Sequence, residues 1–211
     1  MPGQVARSPL DVLVARAGDL AGRGGRRLLG ITGAPGAGKS TLAADVTAAL
    51  GEVAVLVPMD GFHLARARLT LLGLTATKGA IDTFDAGGFV HLLARLRAAD
   101  EPVVHAPEFH REIEEPVAGA IAVPRDIPLV VVEGNYLLAD SGRWQDVRPL
   151  LDEVWYVDPG EVQRMAWLVA RHMAYGRSRA EAEQRALGSD QVNAELIQTT
   201  RNRADVVVVG V

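Results

Sequence analysis

The chain contains no cysteine, which excludes disulfides, thiolate metal sites and a cysteine nucleophile. Zinc would have to rest on five scattered histidines, a poor set for a tetrahedral site. Lysine is nearly absent too. Of 22 basic residues only Lys39 and Lys78 are lysines. A lysine retained in so arginine-rich a chain points to a position that needs a compact ammonium rather than a planar fork. No apolar run reaches the ~18 residues of a membrane span. The N-terminal stretch MPGQVARSPLDVLVARAGDL has acids inside its apolar part and no signal-peptide core. A cytoplasmic protein with no membrane contact is therefore expected. An excess of positive charge is also missing. The formal net charge is −4, which argues against a protein that wraps nucleic acid.

What is present describes an ordinary globular chain. Its 211 residues are 48% hydrophobic and 23% charged, enough for one domain with a full core and a smaller flap or lid. Ser8, Pro9 and Asp11 read as a helix start, and Leu10, Leu13, Val14, Ala17 and Leu20 keep helical spacing. Arg27–Thr32 reads as a buried strand, Lys39–Leu50 as a helix and Val53–Val57 as a second strand. A short helix is expected over 64–72 and loop over 73–84. Asp85 can cap a helix over about 86–99. Pro102, Pro107 and Pro116 break the pattern over 102–123, expected to be a strand followed by a hairpin or flap. Further strands are expected at Ile127–Glu133, Glu153–Val157 and Asp205–Val209. Helices are expected over 143–151, 161–175, 179–187 and 190–200, with Gly176 as a break. Strands alternating with helices make an α/β fold, a doubly wound parallel sheet. In such sheets ligands bind beyond the carboxyl ends of the strands. Attention therefore falls on Gly33–Ser40, Asp60, Glu133 and Asp158.

Residues 33–40 read Gly-Ala-Pro-Gly-Ala-Gly-Lys-Ser and fit G-x-x-x-x-G-K-[ST], with a strand before and a helix after. Glycines let successive backbone N–H groups turn around an anion, and the helix start adds its positive dipole end. Gly33, Ala34, Pro35, Gly36, Ala37, Gly38, Lys39, Ser40 and Thr41 are the expected nucleotide-binding residues. Lys39, facing solvent, would reach the outer phosphates, and the Ser40 hydroxyl could ligate magnesium.

More motifs follow in order: Met59-Asp-Gly-Phe-His63, Lys78-Gly-Ala-Ile-Asp-Thr-Phe-Asp85, Pro107-Glu-Phe-His110, Val132-Glu-Gly-Asn135, Arg171-His-Met-Ala-Tyr-Gly-Arg-Ser178 and Arg203-Ala-Asp205. With this set the chain, from about Leu28 to Val209, resembles the P-loop kinases grouped as uridine kinase, phosphoribulokinase and bacterial pantothenate kinase. It is most similar to bacterial nucleoside/nucleotide kinase-family and fructose-transport-associated kinases. The resemblance implies a P-loop NTPase fold, ATP and Mg²⁺ as cofactors, a small-molecule hydroxyl as acceptor, and members that are often dimers or larger.

Residue roles carry over by motif. Asp60 matches the carboxylate that approaches the acceptor hydroxyl and the metal. At a strand end beside a phosphate loop such a group can take the hydroxyl proton, although Asp60-Gly61 is also a turn signal. Glu133 matches a Glu-Gly near magnesium; a carboxylate after four hydrophobic residues needs a partner or a metal unless it emerges into solvent. Arg171 and Arg177 match arginines on a mobile lid, about residues 171–187, that closes over the phosphates. Otherwise they form a basic solvated helix end. Phe84, Asp85 and Phe109 match acceptor-pocket positions, though Asp85 also suits a helix cap and Phe109 a core. His63 and Lys78 fall in pocket-adjacent motifs. Arg201 and Arg203 match a turn near the adenine ring.

Two departures separate the chain from uridine kinases. The residues after Asp60 are Gly-Phe-His, and Glu114 stands where a pyrimidine-reading histidine is expected. The resemblance therefore implies an acceptor that is a nucleoside or a sugar, with pantothenate as the alternative. A GTPase switch would need N-K-x-D, and no Asn precedes a Lys. A P-loop ATPase without an acceptor remains the other alternative.

Overall fold

The structure, a computed structural model, describes residues 4–7 and 9–210. A six-stranded, wholly parallel sheet forms its centre. The first strand, β1 (Gln4–Arg7), is an edge strand absent from the sequence-based expectation. Helix α1 (Leu10–Ala21) leads to β2 (Arg27–Thr32), and helix α2 (Lys39–Leu50) follows the phosphate loop; β2 and α2 run over the expected residues. Strand β3 covers Ala54–Pro58, with Val53 in a 3₁₀ turn before it. Next come α3 (Arg66–Leu72), α4 (Ala86–Ala98) and an antiparallel hairpin of β4 (Val103–His110) and β5 (Glu115–Pro124). The chain then returns to the sheet as β6 (Leu129–Glu133) and β7 (Glu153–Asp158). Helices α5 (Glu161–Ala174), α6 (Arg179–Leu187) and α7 (Ser189–Gln198) precede the last strand, β8 (Val206–Val209). Ser8 lies outside the described residues. The helix expected over 143–151 is two 3₁₀ turns, Gly142–Asp146 and Arg148–Leu150, and the loop expected over 73–84 holds two more. Pro149, in Arg148–Leu150, accounts for the break between the first two turns, because it cannot donate to the preceding turn.

The two-residue repeat of a strand sorts the core into two layers. Leu29, Ile31, Leu129, Val131, Trp155, Val157, Val206 and Val208 face α1 and α2. Leu28, Val130, Val132, Val154, Tyr156 and Val207 face α4 and the 3₁₀ turns around Trp144. Both faces being covered, the strands are continuously apolar, as parallel sheets require.

The strand order is β1-β8-β7-β2-β6-β3. From central β2 the chain runs outward to β3 and then fills β6 between them. From β7 it runs the other way, to β8. Beyond the carboxyl ends of β2 and β7 the connections diverge and open a crevice, the usual ligand position in this architecture. Register completes the placement. Glu133 pairs with Ile31 of β2 on one side and Pro58 of β3 on the other. The end of β6 therefore lies between the phosphate loop and Asp60.

Candidate active site

The phosphate loop is shaped by glycines that nothing larger could replace. Gly36 and Gly38 have φ of 82° and 87°, the left-handed region that L side chains avoid. A Cβ on Gly36 would lie 2.7 Å from Leu168 Cβ and 2.8 Å from the Arg164 carbonyl. The loop is thus seated on α5. Gly38 caps α2, so the free N–H groups of that helix end face the loop's interior. Arg164, almost fully buried, locks the seat: Nη1 donates to the Pro35 carbonyl at 3.0 Å and Nη2 to Gln191 Oε1 at 2.6 Å. Nothing in the sequence marks this arginine off from its many exposed counterparts.

Lys39 was expected to face solvent and instead is buried, with Nζ 3.5 Å from Glu133 Oε1. The strand register brings the two together, and a partner is what makes a buried ammonium tolerable. Burial and nearby Asp60 push the Glu133 carboxyl above the ordinary carboxylate value, while Lys39 and the Ser40 hydroxyl pull it down. Gly134 permits the packing here, since a Cβ on it would lie 2.5 Å from Met59 Cβ. Glycine in both Glu133-Gly134 and Asp60-Gly61 therefore has a steric cause. At Gly61 a Cβ would overlap the Pro107 carbonyl of the hairpin.

Asp60 sits at the mouth of a cleft of about 880 Å³ that also takes in Lys39, Ser40, His63 and Asn135. Arg111 Nη2 lies 3.5 Å from Asp60 Oδ2, and His63 Nε2 lies 3.9 Å from Oδ1. His63 stacks on Phe84 with ring centroids 4.0 Å apart and tilts against Phe109 at 5.0 Å. Burial lowers the His63 pKa to about 4, against the opposing pull of Asp60. It is a neutral wall of the cleft. Lys78 Nζ lies 4.7 Å over the Phe109 ring and donates to the Glu114 carbonyl at 2.6 Å. Glu114, at the hairpin tip, holds a left-handed φ of 56°, a strained conformation for a residue with a side chain.

The helices after β7 form the other wall. Arg171, Tyr175, Gly176 and Arg177 line the cleft. Arg177 Nη1 donates to His172 Nδ1 at 3.2 Å, and His172 Nε2 faces Asp190 Oδ2 at 2.7 Å. Arginine can only donate, so Nδ1 is the acceptor and Nε2 carries the proton toward Asp190. A second cleft of about 580 Å³ runs along Gly36–Thr41 and Trp167. Arg111 and Tyr175 line both clefts, as do Lys39, Ser40 and Arg171. The sequence reading missed Arg111 and Tyr175. Arg111 directly follows the Pro107–His110 motif, which is the one signal that could have pointed to it.

Three expected site residues have side chains engaged away from both clefts. Asp85 is exposed and lines neither cleft; its Oδ1 accepts the Gly88 N–H at 2.8 Å and caps α4. In this structure its carboxylate is a helix cap rather than a pocket wall, because the chain turns into α4 directly after it. Arg201 and Arg203 also line neither cleft. Arg201 Nε pairs with Asp158 at 3.0 Å, and Arg203 Nη1 donates to the Leu138 carbonyl at 2.7 Å. Both are spent on holding the turn before β8.

Ser40 and Asp60 offer hard oxygen donors to the cleft, and the buried Glu133 carboxylate lies at its base, hydrogen-bonded to the Ser40 hydroxyl and within the field of Asp60. That set suits magnesium, which binds through one or two carboxylates and keeps its remaining places for water and phosphate. Among the described residues no cluster of three or more His, Asp or Glu side chains forms a richer metal cage. No helix among them is long and apolar enough to cross a membrane.

The parallel sheet, the phosphate loop and the carboxylates at neighbouring strand ends define a P-loop kinase. Comparison with known proteins agrees. The chain is 37% identical over 161 residues to an "ATP-dependent kinase-like protein" of Aspergillus versicolor, covering 72% of this chain and 94% of the relative. It is 31% identical over 212 residues to a Schizosaccharomyces pombe protein named "Putative uridine kinase", covering 95% and 90%. A crystal structure of a "putative fructose transport system kinase" from Silicibacter sp. TM1040 superposes with a TM-score of 0.84 at 37% identity, over 95% of this chain and 98% of that one. No family model matches. This chain belongs to the uridine kinase-like family of P-loop kinases.

Proposed function

We propose that the protein transfers the γ-phosphoryl group of ATP to a hydroxyl of a small metabolite, a nucleoside or a sugar. The observation that carries this reading is the position of Asp60. It shares one cleft of about 880 Å³ with Lys39 and Ser40 and stands beside a wall of His63, Phe84 and Phe109. An ATPase or a switch has no use for such a wall.

The chain's groups divide the work as follows. The phosphate-loop N–H groups and Lys39 hold the β- and γ-phosphates. Ser40, Glu133 and Asp60 would hold Mg²⁺, which supplies charge neutralisation on the phosphates when bound. Asp60 orients the acceptor hydroxyl and takes its proton as the acceptor oxygen bonds to the γ-phosphorus. The bond from that phosphorus to the bridging oxygen breaks, and ADP leaves. Little covalent chemistry falls to the protein, so positioning and charge do most of the catalysis. Arg171 and Arg177 face the cleft from a lid over about residues 171–187, where their guanidinium forks suit equatorial phosphoryl oxygens.

The test is a screen for ATP-dependent phosphorylation across nucleosides, sugars, pantothenate and related alcohols, with ADP release followed in parallel. Acceptor-dependent ADP release supports the reading. Equal ADP release with and without every alcohol would make the protein an ATPase instead.

A further inference from the structure

The larger cleft is unusually cationic away from the phosphate loop. Lys39, Arg111 and Arg171 also line the second cleft beside that loop, whereas Arg66 and Lys78 line the larger cleft alone, and Arg177 and Arg185 line it and an adjoining hollow of about 300 Å³ with Glu181, Gln184 and Ser189. The acids in the same wall are Asp60, Glu114, Glu181 and Asp190, and each is engaged. Asp60 faces Arg111 at 3.5 Å and Glu114 faces Lys78 at 3.5 Å. Glu181 accepts from the Ser178 N–H and hydroxyl at 2.9 and 2.7 Å, and Asp190 faces His172 at 2.7 Å. Among the described residues, Arg66, Arg177 and Arg185 form no ion pair with a carboxylate.

Arg185 has the clearest surplus. Its Nη2 donates to the Lys78 carbonyl at 3.3 Å, and its Nε is buried without a partner. A buried guanidinium donor left unsatisfied is costly, and an anion satisfies it best. Arg185 reaches the Lys78 main chain, and the Lys78 ammonium lines the same cleft, so both cations border one end of it. Lys78 lies over Phe109, Phe109 tilts against His63, and His63 faces Asp60. The aromatic pair thus separates the cationic end from the carboxylate that would take the hydroxyl proton. A neutral polyol would call for free carboxylates at that end; of the two in the Lys78–Asp85 motif, Asp85 caps α4 and Asp82 lines neither cleft.

We propose that the acceptor is an acid: an alcohol carrying a carboxylate or phosphate ester, whose anionic group is held by Arg185, Lys78 and Arg66 while its hydroxyl reaches Asp60. The proposal rests on the kinase reading of the same cleft and narrows it from nucleosides and sugars in general to acid-bearing ones.

The test is calorimetry on protein loaded with Mg²⁺ and a non-hydrolysable ATP analogue, so that the phosphate loop is filled. Matched probes are ribose, ribose 5-phosphate and ribonate, then glycerol and glycerate, with inorganic phosphate as the bare anion. An acid-bearing member should bind at least ~10-fold tighter than its neutral partner, the scale of one charge-assisted hydrogen bond. Arg185→Met and Lys78→Met should each erase that preference with analogue affinity unchanged. Preference for ribose 5-phosphate over ribonate assigns a phosphate ester, and the reverse a carboxylate. No preference for acid in any series, or a preference that survives both substitutions, overturns the proposal. Failure of the kinase reading looks different: the analogue complex does not form, or ADP release is independent of every acceptor. A kinase that phosphorylates only neutral alcohols leaves that reading standing and removes this one.

Discussion

Lys39 and Glu133 form a buried pair across the base of the phosphate loop, with Nζ 3.5 Å from Oε1. The pairing is a consequence of sheet order, because β6 lies directly beside β2 and ends where the loop begins. It holds the ammonium at the base of the loop. It also keeps a carboxylate in a place where the protein would prefer it neutral.

That tension yields a prediction for Glu133→Gln. Burial raises the Glu133 pKa, so the neutral form is favoured by folding. The stability this contributes is fully present below the ordinary value of 4.5 and is lost as pH rises through the raised value. Glutamine copies the neutral form. The variant should melt no lower than wild type at pH 7 without ligands, and should lose turnover by ~10–100-fold if Glu133 serves the metal as proposed. Melting curves at several pH values and initial rates check both. A clear drop in melting temperature would show that the Lys39 attraction outweighs desolvation.

Asp60→Asn should cut turnover by ~10²-fold or more, the scale of a lost acid–base group. Nucleotide affinity should change far less, because the phosphate loop is untouched. Steady-state kinetics with the true acceptor, beside calorimetry with ATP, separate the two. Near-normal turnover would reduce Asp60 to a turn residue.

His63 should make stability depend on pH. Its folded pKa of about 4 lies below the ordinary value of ~6.5. Its contribution is therefore present above 6.5 and is lost as pH falls from there toward 4. The full effect is roughly 3 kcal/mol, from about 1.4 kcal/mol per unit. His63→Phe keeps an aromatic ring against Phe84 and has no proton to bind. Its denaturation midpoint should lose the slope that wild type shows between pH 6.5 and 4. Parallel curves for the two proteins would mean that this ring is hydrated in solution.

Much of this arrangement could be read from the residues. Strand β2 and helix α2 agree end to end with the expectation because the glycine loop punctuates both. Asp60, Glu133, His63, Lys78, Phe84 and Phe109 come together around one cleft or its base because each sits at a strand end or in a motif beside one. Other features depend on neighbours that no local pattern names. Strand β1 is four residues, Gln-Val-Ala-Arg, too short and polar to show a period. Arg164 looks like any helix arginine until Pro35 and Gln191 enclose it. Asp85 shows the opposite failure: one carboxylate suits a cap or a pocket equally by spacing, and only the turn into α4 decides. Asp85→Ala should therefore cost ~1 kcal/mol of stability, the usual loss for an N-cap, with KM for the acceptor unchanged.

The segment 171–187 should open and close. Catalysis must keep water from the γ-phosphate, yet Arg171, Tyr175 and Arg177 are all exposed along the cleft. The means of motion are visible. Helix α5 stops at Tyr175, Gly176 has a φ of 87°, and α6 restarts with a capping box between Ser178 and Glu181. That is a glycine hinge between two helices that each keep their own ends satisfied. Little ties this wall to the acceptor loop: Arg185 and Asn193 each reach a carbonyl, of Lys78 and Gly79, at 3.3 Å. Such long contacts break at small cost. Hydrogen exchange over 171–187 should be fast in the empty protein and protected with the ATP analogue and acceptor together. In that complex Arg171 or Arg177 should lie within ~3.2 Å of a phosphate oxygen. Arg177→Ala should lose ~10²-fold or more in turnover, as expected when a donor to developing phosphoryl charge is removed. The bland alternative is a fixed helical wall in which Arg177 serves only His172. It predicts unchanged exchange on ligand binding and full activity in Arg177→Ala, and that pair of results would leave the phosphoryl group without a lid.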